Sequence, residues 1–389
     1  MEEIKSVSLE MKDYIVSSGA ETLSWCMQCG LCTNLCPWRL VPGEVSEAFN
    51  IRKMQRLGQL GLEGFEEEEV LFACATCGMC QTNCPRKVDI ISNVRSMRNT
   101  TVGAGFLPAH LRPIAGSIHA NGNPWSGEKE KRAEWQEGLD IPAFSEDTEY
   151  LLYVCCTSCY DTRSKKIAKS IVSLLKQAGV SFGVLTAEEN CCGETIRKLG
   201  DEELFQKLAE SNINLFNSKG VKKIITTSPH CLYAFKKDYP DYGGEYEVVH
   251  YSEVLSKLVK EGKLTFKGEV GKKVTFHDPC YLGRHNEVYD APRELIQAVP
   301  GVEFVELDRN QSKSLCCAGG GGRVWAEVPF GQRFGELRIT DAVDKQADVL
   351  VTACPYCILM LDDACAGLEK KDVLEVMEMS ELLCSASKP

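Results

Sequence analysis

At 389 residues with a formal net charge of −11, the chain is long enough for two or three compact units. It is too acidic for a nucleic-acid partner, because phosphate binding is driven by lysine and arginine. Hydrophobic residues make up 44% and charged residues 25%, as in ordinary globular proteins, and no apolar run approaches the roughly 20 residues of a membrane span.

The first residues, MEEIKSVSLEMKDY, lack the basic and apolar regions of a secretory signal, so a cytoplasmic location is expected. Contact with a membrane would come through partner subunits, since the chain shows no transmembrane segment of its own. In a reducing compartment disulfides are rare, so the 21 cysteines point to metal ligation.

CMQCGLCTNLCP (Cys26 to Pro37) is matched by CATCGMCQTNCP (Cys74 to Pro85) at a constant offset of 48. Each copy has the C-x2-C-x2-C-x3-C-P spacing of two-cluster ferredoxins, in which three cysteines wrap one cluster and the fourth reaches the other. By that rule Cys26, Cys29, Cys32 and Cys84 hold one 4Fe-4S cubane, and Cys74, Cys77, Cys80 and Cys36 hold the second. The competing reading is a pair of zinc sites, but zinc knuckles seldom carry four cysteines at this spacing followed by proline. The stretch from Gly43 to Leu62, containing AFNIRKMQRLGQL, reads as helical, so residues 1–105 are expected to form an α-helical ferredoxin domain. The acidic run Glu66 to Glu69 reads as a solvated helix start.

Residues 106–148, with FLPAHLRP and NGNPWSG, read as an extended connector packed against the parts on either side. A longer repeat follows, in which Cys156, Cys192, Ser228 and Cys231 pair with Cys280, Cys317, Cys354 and Cys357 at offsets of 124, 125, 126 and 126. In each copy, β-rich runs (YLLYV, SFGVL, KKIITTS; then KKVTFH, VEFVEL, DVLVTA) alternate with helical ones such as KIAKSIVSLLKQAG and EELFQKLAESNINLF. That alternation predicts a parallel sheet in each copy with the cysteines at strand ends. The domains expected are 149–265 and 266–389, and the fold class is α+β multidomain: a helical ferredoxin domain followed by a duplicated α/β domain.

Cys280, then LCCAGGGG with Cys316 and Cys317, then CPYC with Cys354 and Cys357, resemble the cysteine-rich CCG domain of heterodisulfide reductase. With the ferredoxin-type motifs in front, the layout from about residue 20 to 384 resembles its D subunit and the C subunit of anaerobic glycerol-3-phosphate dehydrogenase. The resemblance implies that five cysteines per domain hold a noncubane 4Fe-4S cluster, and that paired clusters open a disulfide by one-electron steps. The second copy has all five: Cys280, Cys316, Cys317, Cys354 and Cys357. The first keeps Cys156, Cys191, Cys192 and Cys231, but Ser228 replaces the first cysteine of the CPxC pair. Serine is a harder, higher-pKa ligand than thiolate, which leaves open a cubane, a zinc ion, or a relic whose thiols only pack in the core. Cys155 and Cys159 lie close by as substitute ligands.

His277, Asp278, Arg284 and His285 flank Cys280, either as structural groups or to tune a cluster. Gly319 to Gly322 beside Arg323 lack any phosphate-binding pattern, and close approach of backbone to a cluster is the better reading. Cys365 and Cys384 fit no motif and read as core. No flavin or nicotinamide fingerprint is present. The chain is therefore expected to relay electrons from a flavoprotein or other redox subunit, through two cubanes, to the second-repeat cluster within a larger complex. The alternatives are a reductase that itself cleaves a small-molecule disulfide, and a scaffold whose clusters only stabilise the fold.

Overall fold

In the C-terminal two-thirds the apolar runs are short, and each forms one strand of a parallel sheet. The computed structural model describes residues 6–44, 48–62, 69–326 and 331–387. Strands β1 (Tyr150–Tyr153), β2 (Phe182–Gly183), β3 (Lys223–Thr226) and β4 (Glu247–His250) make one sheet in the order β2-β1-β3-β4. Strands β5 (Lys273–His277), β6 (Glu303–Val305), β7 (Val349–Thr352) and β8 (Glu375–Glu378) make the other in the order β6-β5-β7-β8. The topology repeats with the sequence, and every pairing is parallel. Central strand β7 is buried at all four positions, as expected of a sheet covered by helices on both faces.

Residues Met1–Pro113 form one compact unit together with Thr195–Phe205 and Ala318–Phe334, two excursions from the repeats. The remaining residues form the other unit, which contains both sheets. In the first unit, helix α1 (Leu9–Ser17) and helix α3 (Ile51–Leu60) flank the shorter α2 (Leu31–Asn34) in sequence, and α4 (Met79–Thr82) precedes α5 (Ile90–Gly103). Helix α3 begins where Asn50 Oδ1 accepts from Lys53 N at 3.0 Å and ends at left-handed Gly61. Asp89 caps α5 in the same way through Ser92 N at 3.0 Å. Of the stretch expected to be helical from Gly43, residues 45–47 lie outside the described residues, as do residues 66–68 of the acidic run; Glu69 opens a 3-10 turn, Glu69–Ala73.

The stretch expected to be extended, 106–148, is instead partly helical. Arg112–Asn121 is an α-helix and Lys129–Gln136 a 3-10 helix, because Ile114, Ile118, Arg132 and Trp135 on them are buried and need a folded backbone. The second unit contains α6 (Cys156–Tyr160), α7 (Lys165–Gln177), α9 (Pro229–Tyr233), α10 (Tyr251–Lys260), α11 (Asp290–Gln297), α13 (Pro355–Gly367) and α14 (Met379–Ser387). Two further helices, α8 (Glu202–Ser218) and α12 (Phe334–Asp344), lead out of the excursions. The two repeats are joined by Arg163 on Glu381, with two contacts of 2.7 Å, and by a hydrogen bond from Tyr251 Oη to Glu378. Among the described residues no helix is long and apolar enough to cross a membrane.

Candidate metal centres

The two ferredoxin-type motifs fold into loops whose backbone turns inward. In each, the residue two after the first cysteine and the glycine two further on adopt positive φ: Gln28 (60°) and Gly30 (84°), then Thr76 (49°) and Gly78 (76°). β-Branched Thr76 is a genuine outlier there, and such strain is retained where a loop must curl around a ligand. Cys26, Cys29, Cys32 and Cys84 line one small hollow, and Cys36, Cys74, Cys77 and Cys80 line another. The structure thus brings together the same two quartets that the spacing rule names.

N–H groups point at the sulfurs. Thr76 N donates to Cys74 Sγ and Val88 N to Cys84 Sγ, each at 3.4 Å. Burial raises the Cys36, Cys74 and Cys80 thiols above their ordinary range, so ligation must displace their protons. Beside Cys74 the opposing influence is cationic: Arg98 and Arg323 both lower its thiol. Arg98 is fully buried and donates to Leu71 O and Cys74 O, at 3.0 and 2.8 Å, while Arg323 lies 4.8 Å over the Trp38 ring. The glycine run presses on this loop, where an added Cβ would lie 2.5 Å from Ala75 O at Gly320 and 2.5 Å from Cys74 O at Gly321. Close backbone approach is the reason for glycine there, and the partner is the Cys74 loop. The first quartet lies nearer the surface, with Cys29 exposed beside exposed Trp25, Met27 and Leu31.

In the second repeat Cys317 Sγ lies 3.2 Å from Cys357 Sγ, and hydrogen bonds link Cys316 to Cys317 and Cys357 to Cys354. Cys280 is buried in the loop after β5, the strand paired with β7, and β7 leads directly to Cys354. A His277 nitrogen and the Cys317 and Cys357 sulfurs lie within 4.8 Å of one another, and neither His277 nitrogen has a hydrogen-bond partner of good geometry. Unsatisfied nitrogens on a fully buried ring, beside a knot of sulfurs, fit a site built to hold a metal group. Burial opposes ionisation of Cys354, but hydrogen bonds from Cys357 and His230 outweigh it and bring the thiol down to about 6. Cys317 is held well below the usual thiol range by Cys316 and Cys357.

Around this knot, Asp278 is bound by Arg293 at 2.7 and 2.9 Å and accepts from Gln311 N at 2.8 Å. Arg284 Nη1 donates to Ser314 O at 2.6 Å, which pins the segment leading into Cys316. His285 stacks on Tyr281 at 4.3 Å.

The first repeat assembles four thiols in a chain of hydrogen bonds, Cys156 to Cys191 to Cys192 to Cys231. Cys155 and Cys159 are buried beside them but bond locally, to Ser158 Oγ and Val154 O. Ser228 has a helix-capping role: its Oγ accepts from His230 N at 3.3 Å at the start of α9. Its backbone (φ −137°, ψ 132°) matches that of Cys354 (φ −157°, ψ 126°), which stands at the same place before α13.

Arg132, placed by sequence reasoning in a connector, is a buried part of this site. It donates to Cys156 Sγ at 3.2 Å, Val154 O at 3.0 Å and Glu189 Oε2 at 3.1 Å. Burial alone would lower the guanidinium, but Cys159 and Cys156 hold it well above its ordinary value, so it stays charged. His230 was also missed, although it stands inside the SPHC motif. Cys365 is buried and donates to Leu374 O, and half-buried Cys384 donates to Ser170 O.

The cysteine-rich domain family matches residues 150–236 and 274–362, and the 4Fe-4S dicluster domain family matches residues 22–88. The chain is 40% identical, over 82% of its length, to the probable iron-sulfur-binding oxidoreductase FadF of Bacillus subtilis (strain 168), and covers 47% of it. It is 37% identical, again over 82% of its length, to the EtfAB:quinone oxidoreductase of Syntrophomonas wolfei, and covers 46% of it. The chain thus spans about half the length of these two relatives. It is 30% identical to the D subunit of the dihydromethanophenazine:CoB--CoM heterodisulfide reductase of Methanosarcina mazei, with 98% of each chain covered. Matched over nearly its whole length by that protein, and carrying both domain families in order, the chain belongs to the family of iron-sulfur proteins that includes the heterodisulfide reductase D subunit.

Proposed function

We propose that the chain is the iron-sulfur subunit of a larger redox complex. In this reading it carries electrons from a flavoprotein or other redox subunit through two 4Fe-4S cubanes to a noncubane 4Fe-4S cluster in the second repeat. The observation that carries it is the gathering of Cys316, Cys317, Cys354 and Cys357 about the 3.2 Å Cys317–Cys357 contact, with Cys280 in the loop after the neighbouring strand. When bound, such clusters supply one-electron oxidation and reduction. The protein's own residues hold and tune. Cys26, Cys29, Cys32 and Cys84 form the quartet open to a partner, because Cys29 is exposed. Arg98 and Arg323 favour thiolate at Cys74.

The test is an iron and sulfide count with EPR on protein purified without air. The expected result is about twelve irons per chain, eight in the cubanes and four in the second repeat. About eight irons, with no further signal, overturns the second-repeat assignment. The other reading, a chain that itself cleaves a small-molecule disulfide, is favoured by the near full-length match to a heterodisulfide reductase component. Sustained turnover of such a disulfide with reduced viologen would select it. Oxidation without turnover selects the relay.

A further inference from the structure

In the second repeat, CPYC places Tyr356 between Cys354 and Cys357; in the first, SPHC places His230 at the matching position. The two rings meet with centroids 4.6 Å apart, so the motifs of the two repeats face each other. His230 is buried and also stacks on Tyr281, the neighbour of Cys280, at 3.9 Å and 26°. Its Nδ1 lies 2.9 Å from Glu194 Oε2, and the ring is near enough to Cys354 that each raises or lowers the other's ionisation. With Nδ1 turned to Glu194, Nε2 is the ring nitrogen left to face the sulfur, and it carries a proton there either in the imidazolium or when Glu194 keeps its own proton and donates to Nδ1. An imidazole fixed by one carboxylate and packed against two rings has little freedom to turn away, the arrangement by which groups behind a metal ligand orient it.

We propose that the first repeat, in which Ser228 stands where the second has Cys354, serves the second as a donor arm. His230 is a positioning residue that fixes the Cys354 thiolate through an N–H···S hydrogen bond, and so raises the reduction potential of the iron-sulfur group Cys354 helps to hold. This rests on the reading that the second repeat holds such a group. Hydrogen bonds to ligand sulfur draw off electron density and so favour the reduced state, whose added charge they offset. The capping role of Ser228 fits the same division of labour, because it starts the short helix that presents His230.

The experiment is an EPR-monitored redox titration of the whole chain as wild type, His230→Leu and His230→Gln, with iron counted in each. In His230→Leu the second-repeat signal moves to more negative potential by at least a tenfold change in the reduction equilibrium, about 59 mV for one electron. His230→Gln keeps a donor and gives a smaller shift in the same direction. The signals of the two N-terminal clusters stay in place. An unshifted second-repeat signal with iron retained overturns the proposal, and so does an equal shift in every signal. Should His230→Leu shed its second-repeat iron, His230→Gln is read alone by the same criterion. A wild-type chain without iron beyond the N-terminal clusters removes the underlying reading as well, and its iron count distinguishes that failure from failure of the His230 role.

Discussion

Replacing Arg132 by methionine keeps most of the stem and removes a buried charge that Cys156 and Glu189 share. The guanidinium makes three hydrogen bonds, at 3.0, 3.1 and 3.2 Å, and lies 5.6 Å over the Tyr153 ring. Hydrogen bonds to a charged group contribute about 1.5–3 kcal/mol each, but burying the cation costs several kcal/mol in return. The net loss is therefore set by what is left behind, the nearly fully buried Glu189, whose carboxyl burial already raises to about 7 beside Arg132 and which must take up a proton once the cation is gone. Breaking such a pair from one side costs about 3–5 kcal/mol. Replacing both partners, as Arg132→Met with Glu189→Gln, removes the buried carboxyl that would have to be protonated and recovers most of that loss. The assay is anaerobic guanidinium unfolding of the three proteins, followed by far-ultraviolet circular dichroism. If the single variant is as stable as wild type, or the double variant no more stable than the single, the electrostatic account of this site is wrong.

Ser228→Cys places a thiol on a backbone that already has the Cys354 conformation, at the expense of a helix cap worth about 1 kcal/mol. Iron per chain should rise above the wild-type count by up to about four; an unchanged count, with the new thiol free to alkylating reagent, refutes the matching of the two sites. Glu378 is buried, and burial outweighs its hydrogen bonds from Ser380 and Tyr251 to raise its carboxyl to about 8, against about 4.3 in an unfolded chain. The folded state therefore holds the extra proton between those values. Its contribution is complete below the unfolded value and is lost as pH rises toward 8, by at most about 1.4 kcal/mol per pH unit. Glu378→Gln should flatten the fall in stability between pH 5 and 8 measured by guanidinium unfolding; an unchanged slope would show that Glu378 does not titrate there.

Short-range features were legible because their causes are short-range. A thiolate cradle depends on cysteines a few residues apart, so the spacing from Cys26 to Cys36 and from Cys74 to Cys84 carried the quartets in the letters themselves. A strand needs only a short apolar run, which is why YLLYV and DVLVTA read as strands, and duplication announced itself through near-constant offsets. The capping role of Ser228 was open to the same reasoning, since serine before proline is a common helix start.

Tertiary structure alone decided the rest. That Arg132 belongs to the first thiol site, that the glycine run after Cys317 presses on the Cys74 loop, and that His230 of one repeat meets Cys354 of the other all depend on residues far apart in sequence. No periodicity records such meetings, because a buried cation or a donor imidazole is chosen by the charge and hydrogen-bonding need of its final neighbours. Local chemistry told which atoms grip metal. Only the folded packing told which charges and rings stand behind them.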